Sequence, residues 1–335
     1  MLNAALIGFG GIAKSHRRAF KQLEDLGRAR LVCAYDINPE AFAKNVTINN
    51  ETADDILGEN ITFYNDLDEM LKNEKIDIVD ICIPSYRHKD MACEMLRRGY
   101  HVLCEKPMSL SYSACLEMLD AAKSAGKELM IGQCLRFYPA FDYIKEIIDT
   151  KKYGEVLAGF FSRLSPPPVW GWENWFMNPE RSGGCITDLH IHDVDIIRYL
   201  FGEPEAVSCR AATSISAYDV VHSSLFYGKT PITAIADWTL AGVPFKAECR
   251  IDFEGATITF NSSEVTVYPK DGTEQFVAPA PKLSGQFGEL SYLIDVIEGK
   301  IENKKNRPES AAASVKLVEL LKASADRGGE ILKLD

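Results

Sequence analysis

Short apolar runs alternate with longer amphipathic stretches over the first 130 residues. The apolar runs have the length of buried strands, and the amphipathic stretches have the length of helices. Asp66-Leu-Asp-Glu69 is a capping box that can start one helix, Ser111 can cap another, and Gly126 can end it. This alternation predicts βαβ crossovers and a doubly wound parallel sheet covered on both faces. The predicted strands are residues 4–8, 30–36, 61–64, 76–84, 100–104 and 128–132.

The pattern changes after about residue 133, where strands follow one another with short turns between them. This order predicts an α+β domain with an open, largely antiparallel mixed sheet. We therefore expect an α/β protein with domains at residues 1–132 and 133–335, and a polar surface excursion over residues 45–60. The predicted elements of the second domain are a helix at 139–149, a strand at 156–164, an irregular loop at 165–179, a helix at 187–201, strands over 206–276 and helices at 288–298 and 309–325.

Composition narrows the class of protein. The 335 residues are 46% hydrophobic and 25% charged, as in an ordinary two-domain globular protein. With 37 basic and 48 acidic residues the net charge is −11, which argues against nucleic acid and against an anionic membrane as partners. The nine cysteines form no C-x-x-C and indicate buried, reduced thiols. We find no basic segment before the apolar N-terminus and no run long enough for a membrane helix, so we expect a soluble, cytoplasmic protein.

Gly8-Phe-Gly-Gly-Ile-Ala13 is a G-x-G-x-x-A motif between a predicted strand and a predicted helix. Such a motif combines a tight turn, a bare backbone that a pyrophosphate can approach, and a helix N-terminus that faces the phosphates. Asp36 ends the second predicted strand, where a carboxylate accepts hydrogen bonds from the adenosine ribose and repels a 2′-phosphate. The motif predicts NAD as cofactor, with NADP still possible because Lys14 could overturn the preference. The residues expected to hold the cofactor are Gly8, Phe9, Gly10, Gly11, Ile12 and Asp36.

Two further segments carry candidate chemistry. Lys106 follows the predicted strand 100–104, and ligands of open parallel sheets bind beyond the carboxyl ends of strands, although a solvated surface turn is the alternative. Asp188, His192 and Asp195 stand at i, i+4 and i+7 and share one face if their segment is helical. If the segment is a strand, His190 and His192 face together as a metal pair, but no further histidine pattern completes a metal site, and we expect no metal. An Asp-rich helix start is also favourable without any function.

Four motifs resemble the glucose–fructose oxidoreductase, inositol dehydrogenase and rhizopine-catabolism (Gfo/Idh/MocA) family of NAD(P)-dependent oxidoreductases. They are Gly8-Phe-Gly-Gly-Ile-Ala13, Pro84-Ser-Tyr-Arg-His88, His101-Val-Leu-Cys-Glu-Lys-Pro107, and Gly183-Gly184 followed by Asp188, His192 and Asp195. The resemblance implies an N-terminal Rossmann domain, a C-terminal domain with an open mixed sheet, and a homodimer or homotetramer built on that sheet.

The resemblance also implies roles for individual residues. Lys106 is the expected catalytic lysine, with His192 and Asp188 completing the group that binds the polyol and transfers its proton. Which of Lys106 and His192 takes the proton first stays open. Position 190 is His where the family commonly has Gly, so we expect His190 to pack or bond locally, or else to narrow the substrate pocket. The residues expected near the nicotinamide are Pro84, Ser85, His88, Glu105 and Lys106 itself.

Three tryptophans within six residues precede the Asp/His segment, and indole faces stack on the apolar faces of sugar rings. Trp172 and Trp175 are therefore candidate substrate residues, as are Arg163 and Arg136, although each tryptophan can equally pack its loop onto the domain. We expect hydride transfer between the nicotinamide and a carbinol or carbonyl carbon of a sugar, sugar acid or cyclitol. The alternatives are NAD-dependent glycoside cleavage through transient oxidation and elimination, and a non-catalytic dinucleotide sensor. A sensor would not need an intact pair of Lys106 and His192.

Overall fold

The computed structural model describes residues 1–42, 61–262, 264–272, 276–278 and 284–334, so the excursion expected over residues 45–60 lies outside the described residues. Among the described residues the α-helices are α1 (Ala13–Asp25), α2 (Leu67–Asn73), α3 (His88–Arg97), α4 (Tyr112–Ala125), α5 (Pro139–Thr150), α6 (Pro179–Ser182), α7 (Cys185–Asp188), α8 (Ile191–Phe201), α9 (Gly285–Ile297) and α10 (Pro308–Asp326). The strands are β1 (Leu2–Ile7), β2 (Ala29–Tyr35), β3 (Thr62–Tyr64), β4 (Ile78–Ile81), β5 (His101–Glu105), β6 (Leu129–Gly132), β7 (Val156–Leu164), β8 (Ala206–Ala212), β9 (Val220–Tyr227), β10 (Thr230–Asp237), β11 (Lys246–Phe253), β12 (Ala256–Asn261), β13 (Val265–Pro269), β14 (Phe276–Ala278) and β15 (Leu332–Lys333).

These elements form two compact units. Unit 1 comprises Met1–Cys134, Trp170–Trp175 and Ser284–Ala313, and unit 2 comprises the rest of the chain. Unit 1 thus extends two residues past the expected boundary at 132/133 and takes in two later segments. The second of these segments carries α9, which packs against α1, β5 and β6.

Unit 1 is built on a six-stranded sheet in the order β3-β2-β1-β4-β5-β6, and all of its strands are parallel. The central strands are buried on both faces, which explains their continuous apolar runs. Asp66 accepts a hydrogen bond from the Glu69 N–H (2.9 Å), and Ser111 accepts one from the Ala114 N–H (3.3 Å). Gly126 ends α4 with φ +62°. The doubly wound sheet and its helix signals are confirmed.

Unit 2 is built on a nine-stranded sheet in the order β14-β13-β12-β11-β7-β10-β9-β8-β15. The β7–β10 pair is parallel and the other pairs are antiparallel. Helices α7 and α8 pack on this sheet through β7, β9 and β10. The expected open, largely antiparallel mixed sheet is confirmed.

The helix expected over residues 187–201 begins earlier and is interrupted. It starts at Cys185 as α7, and α8 follows at Ile191. Between them the Leu189 and His190 N–H groups both donate to the Cys185 carbonyl oxygen, each at 2.9 Å. The bond from His190 spans five residues, which is the signature of a π-type bulge with one extra residue in the turn. None of the described helices combines the length and the apolar character that crossing a membrane requires.

Candidate active site

The turn after β1 has the geometry of a phosphate-binding loop. Gly8 has φ +92°, and a Cβ there would lie 2.5 Å from the Cys82 carbonyl oxygen, so only glycine fits. Gly10 is exposed, and a Cβ built on it would meet nothing within 4 Å. The open space at Gly10 leaves backbone accessible to a ligand, and α1 begins three residues later at the buried Ala13. The fold therefore presents a bare turn and a helix N-terminus, as a dinucleotide pyrophosphate requires.

Asp36 lies beside this turn, as its place after β2 predicts. Its carboxylate accepts hydrogen bonds from the Phe9 N–H (2.7 Å) and the Asn38 N–H (2.8 Å). The Phe9 ring is buried and lies edge-on to Phe42 and Phe63, with centroids 5.2 and 5.4 Å away. Phe9 therefore contributes its backbone to the turn and its side chain to the core. Asp36 itself is half-buried, and it fixes the turn through its carboxylate.

The segment after β4 is tied to the segment after β5. His88 is buried, and its two ring nitrogens lie 2.8 Å from the carbonyl oxygens of Pro107 and Ile83. Burial lowers the pKa of His88, while the hydrogen bonds to the two carbonyl groups act in the opposite direction. Ser85 is also buried, three residues earlier. The contacts of His88 give it a structural role in holding the loop that follows β4.

Lys106 comes directly after β5 and is half-buried. The buried Glu105 carboxylate accepts the Lys106 backbone N–H at 3.1 Å, and its other oxygen lies 2.8 Å from His16 Nε2. Glu105 therefore faces into unit 1. Because parallel strands end at one edge, the turn after β1, the segment after β4 and Lys106 after β5 are gathered at the same edge of the sheet.

His16, Asp80 and Glu289 form a buried group with Glu105 that sequence reasoning missed. His16 Nδ1 lies 2.7 Å from Asp80 Oδ2. A ring nitrogen of His16 and one carboxylate oxygen each of Glu105 and Glu289 lie within 4.8 Å of one another. The available signal was Asp80, a carboxylate inside the otherwise apolar run Ile78-Val-Asp-Ile81. A charged residue in a strand buried on both faces requires a buried partner, but nothing in the sequence pattern identifies His16 as that partner.

In unit 2 the Asp/His segment begins with two glycines of positive φ, +75° at Gly183 and +77° at Gly184. A Cβ on Gly184 would lie 2.1 Å from the Ala217 carbonyl oxygen, so this tight approach requires glycine. Asp188 ends α7 and is buried, whereas His192 lies in the first turn of α8 and is half-buried. The bulge between the two helices means that the spacing of a continuous helix does not describe their relative orientation.

Two predicted substrate residues are engaged in buried ion pairs. Arg136 donates to both oxygens of Asp195, at 2.8 and 2.6 Å, and Ser314 donates to the same carboxylate at 2.7 Å. Arg163 donates to both oxygens of Asp193, at 3.0 Å each. Each guanidinium therefore already has a carboxylate partner within unit 2, and we leave both arginines out of the proposed substrate site. Asp195 is the carboxylate partner of Arg136, so we leave it out of the proposed site as well.

His190 bonds within unit 2, as its departure from the expected face predicts. It is fully buried, and its Nε2 lies 2.8 Å from Ser223 Oγ. Burial, with the nearby charge of Arg163, lowers the pKa of His190 to about 3. The alternative of a strand with His190 and His192 as a metal pair is wrong, because the segment is helical.

The tryptophan loop belongs to unit 1. Trp170 and Trp172 are 42% and 44% exposed, whereas Trp175 is only 8% exposed. Glu173 and Asn174 lie between Trp172 and Trp175 and have left-handed φ values of +48° and +53°. The structure thus separates the two candidate substrate tryptophans, because Trp172 faces solvent and Trp175 packs inward.

Comparisons with known proteins agree with this geometry. Residues 2–133 match the oxidoreductase family with an NAD-binding Rossmann fold, and residues 141–278 match the GFO/IDH/MocA C-terminal domain. The 2,7-anhydro-N-acetylneuraminate hydratase of Escherichia coli strain K12 is 31% identical over 62% of this chain and 52% of its own length. The inositol 2-dehydrogenase of Rhizobium meliloti is 33% identical over 63% of this chain and 58% of its own length.

A solved structure extends the similarity of fold to the whole chain. The WlbA dehydrogenase of Bordetella pertussis, in complex with NADH and UDP-GlcNAcA, superposes with a TM-score of 0.80 at 22% identity, covering 100% of this chain and 99% of that one. The two curated relatives are matched over only somewhat more than half of their own length. The two matched domains and the Rossmann sheet with its glycine turn show that the chain belongs to the Gfo/Idh/MocA family of NAD-binding oxidoreductases.

Proposed function

We propose that this protein is an NAD-dependent oxidoreductase that moves a hydride between the nicotinamide and a carbinol or carbonyl carbon of a sugar, sugar acid or cyclitol. The observation that carries the proposal is the placement of Lys106. It follows the carboxyl end of β5, at the same sheet edge as the glycine turn after β1. A half-buried amine at the cofactor edge of a dinucleotide fold is placed to act on the substrate beside the nicotinamide.

The proposed site residues have separate roles in cofactor binding, proton transfer and polyol binding. NAD, when bound, supplies the hydride acceptor. Gly8, Gly10 and Asp36 hold the dinucleotide, and Asp36 favours NAD because its carboxylate repels a 2′-phosphate. Lys106 and His192 bind the reacting hydroxyl and take its proton as the hydride leaves, since oxidation of a carbinol requires a positioned base. Asp188, near the start of the same helical segment as His192, completes the polyol-binding group.

The substrate class is supported by the tryptophan loop and by the names of relatives. The exposed Trp172 offers an apolar face to the C–H side of a sugar ring. One relative is named an inositol 2-dehydrogenase, another a D-apiose dehydrogenase and another a 1,5-anhydro-D-fructose reductase. Polyhydroxylated rings and their carbonyl forms are therefore the compounds to test first.

A second reaction in the same site is favoured by a different observation. Two relatives are named 2,7-anhydro-N-acetylneuraminate hydratases, a name without net oxidation or reduction. In the corresponding proposal for this chain, transient oxidation of a hydroxyl to a carbonyl acidifies the neighbouring C–H. A base takes that proton, elimination breaks the glycosidic bond and the aglycone leaves as its alcohol, water adds to the resulting double bond, and the hydride returns to the carbonyl carbon. The same Lys106 and His192 would serve, but no reduced nicotinamide would accumulate.

The deciding experiment follows reduced nicotinamide by ultraviolet absorbance, with NAD and NADP in turn, against a panel of sugars, sugar acids, cyclitols and glycosides. Release of an aglycone is followed in the same samples. Absorbance that rises with a free polyol and NAD is the expected result. Aglycone release without accumulation of reduced nicotinamide would instead support the second reaction. Measurable NAD binding with neither signal would contradict both.

Assembly and location are also proposals. We propose a homodimer or homotetramer that associates through the nine-stranded sheet, because Phe160 and Ile235, on adjoining strands and alternating with buried neighbours, are half-exposed there. Light scattering coupled to size exclusion tests this, and a monomer would contradict it. We propose the cytoplasm as the location because the nine cysteines, all among the described residues, are buried thiols that form no disulfide, as in a reducing compartment.

A further inference from the structure

His16 lies fully buried in the first turns of α1, between two carboxylates that come from different strands. Its Nδ1 lies 2.7 Å from Asp80 Oδ2 on β4, and its Nε2 lies 2.8 Å from Glu105 Oε1 at the end of β5. Both carboxylates are themselves buried. The three side chains therefore form a continuous hydrogen-bonded chain within unit 1, from the centre of the sheet to its carboxyl edge.

The distances require one proton in each of the two contacts of the His16 ring. A neutral imidazole has one N–H donor and one bare nitrogen, whereas an ionised carboxylate can only accept. A neutral His16 would therefore place a lone pair against an ionised carboxylate. Burial lowers the pKa of His16, whereas the charge of Asp80 and its hydrogen bond raise it, and the net result is a pKa well above the ordinary value. Burial raises the pKa of Asp80, and the charge and hydrogen bond of His16 act in the opposite direction. An imidazolium that donates to two carboxylates satisfies the whole arrangement.

The groups around His16 are mostly acidic. Asp80 faces it from β4, Cys82 from the residue after β4, Glu105 from the end of β5 and Glu289 from α9. Burial raises the pKa of Glu289 well above its ordinary value, and neither of its oxygens has a hydrogen-bond partner among the residues that the structure describes. Glu289 therefore takes no part in the hydrogen bonds of His16, whose two ring nitrogens contact Asp80 and Glu105.

A metal ion does not fit this group, although its composition would allow one. A histidine that binds a metal presents a bare ring nitrogen. Here both nitrogens lie at hydrogen-bond distance from carboxylate oxygens, so no lone pair is left to point at an ion.

The chain of hydrogen bonds ends at the Lys106 backbone. The second Glu105 oxygen accepts the Lys106 N–H at 3.1 Å. Gly132 on β6 leaves the space that Glu105 needs, because a Cβ there would lie 3.3 Å from the Glu105 carboxylate. When the His16 imidazolium holds one Glu105 oxygen, the orientation of the other oxygen is fixed as well. The hydrogen bond from that second oxygen then fixes the Lys106 backbone.

We propose that His16 is a positioning residue for Lys106: held as an imidazolium between Asp80 and Glu105, it orients the Glu105 carboxylate that binds the Lys106 backbone. The effect on turnover rests on the proposed role of Lys106 in catalysis. The effect on the Lys106 backbone does not, since it concerns hydrogen bonds within unit 1 only. His16 acts through Glu105 and does not itself touch the substrate.

The first test uses the wild-type protein and needs no substrate. Nitrogen NMR of protein labelled in its histidines reports the protonation of each ring, and a His16→Asn sample assigns the signal. We expect both His16 ring nitrogens to stay protonated from neutral to mildly alkaline pH. A neutral ring at neutral pH would overturn the proposal, and so would stoichiometric zinc in the purified protein by elemental analysis.

The second test compares two substitutions that each keep one half of the contact. In His16→Gln the amide nitrogen reaches the position of Nε2 and still donates to Glu105, whereas in His16→Asn it replaces Nδ1 and reaches only Asp80. We expect hydrogen exchange of the Lys106 amide to accelerate strongly in the Asn variant and to stay near the wild-type rate in the Gln variant. Equal acceleration in both variants would show a general structural role, and unchanged exchange in the Asn variant would remove the link. Either result would overturn the proposal.

Turnover supplies the functional readout. With any substrate from the panel, we expect His16→Asn to lower kcat by about 10²-fold, with the Kd for NAD unchanged, and His16→Gln to recover most of this loss. An active wild type whose Asn variant keeps full kcat would overturn the inference and leave the proposed function standing. A wild type without activity would overturn the proposed function, while ring protonation and amide exchange would still decide the role of His16.

Discussion

His190 is a neutral histidine in the interior of unit 2, and its burial makes the fold sensitive to acid. One ring nitrogen meets Ser223, and the pKa is about 3 in the folded protein against an ordinary value of 6.5. Because the folded-state pKa is the lower one, the unfolded chain binds the proton more readily. Stability therefore falls as the pH drops from 6.5 towards 3.

Replacing His190 by Gln is expected to remove this part of the acid sensitivity, because Gln can still bond to Ser223 but cannot titrate. From the two pKa values, His190 contributes about 2 kcal/mol to the loss of stability between pH 7 and pH 5. Urea unfolding at both pH values measures the difference for each protein. If the wild type and His190→Gln lose the same stability over this range, the low pKa of His190 is refuted.

Asp36 governs the proposed choice of cofactor through two functions of one carboxylate. It anchors the glycine turn by its bonds to Phe9 and Asn38, and it meets the ribose with a negative charge. Asp36→Ala is expected to weaken NAD binding about tenfold to hundredfold and to reduce the preference for NAD over NADP, as measured by nucleotide titration. Asp36→Asn removes the charge but keeps one acceptor oxygen, so it retains one of the two bonds to the turn. It should therefore change the preference as Asp36→Ala does and weaken NAD binding less than Asp36→Ala. An unchanged preference in both variants would remove Asp36 from this role.

At the scale of elements, α8 is held by two buried ion pairs whose aspartates directly follow His192. Asp193 is paired with Arg163 from β7, and Asp195 with Arg136 from the segment before α5. Ser314 also donates to Asp195 and accepts a bond from Arg198 at 2.6 Å. This clamping fixes the position of the helix that carries His192, so the arginines serve the proposed site by supporting it.

Breaking one of these pairs is expected to cost more than removing both partners. Arg136→Met leaves the Asp195 charge buried with Ser314 as its remaining donor, and removal of one partner of a buried pair costs about 3–5 kcal/mol. Arg136→Met/Asp195→Asn removes the charge as well and should recover part of that loss. The free energy of unfolding in urea, measured for the two single variants and the double variant, gives the coupling. Additive losses would show that the pair does not act as a unit.

How far the sequence predicts an element depends on where its determinants lie. The six strands of unit 1 and the caps at Asp66 and Ser111 are determined within a few neighbouring residues, and they were predicted. The interruption of the helix at His190 was not predicted, because the segment keeps helical periodicity and only the hydrogen bond from His190 to Cys185 reveals the extra residue. The predicted start of α9 at residue 288 was three residues late for a different reason, because the Ser284 cap is a local signal that was overlooked.

Site residues follow the same rule. The glycine turn and Lys106 were predicted because their positions follow from adjacent strand ends. Arg136 and Arg163 were interpreted as substrate residues. Their carboxylate partners were not recognised, because these lie 59 and 30 positions away in the sequence. His16 was missed because its partners lie 64 and 89 positions away. Hydrophobic periodicity shows which face of an element is buried, but it does not show which buried polar groups meet.

At the scale of the whole molecule, each proposed catalytic residue is held inside its own unit. Lys106 belongs to unit 1, where the Glu105 carboxylate accepts its backbone N–H. His192 belongs to unit 2, and the two paired aspartates of α8, Asp193 and Asp195, follow it in the sequence.

Lys106→Ala and His192→Ala are each expected to lower turnover by about 10²- to 10⁴-fold, with little change in NAD affinity, because neither residue belongs to the glycine turn that holds the dinucleotide. If the two act on the same proton, the double variant should be barely slower than the slower single variant, since removal of either member already disables the pair. Steady-state kcat and NAD titrations of the three variants test this. Near-normal turnover in Lys106→Ala would refute the catalytic assignment, and losses that multiply in the double variant would show that Lys106 and His192 act in separate steps.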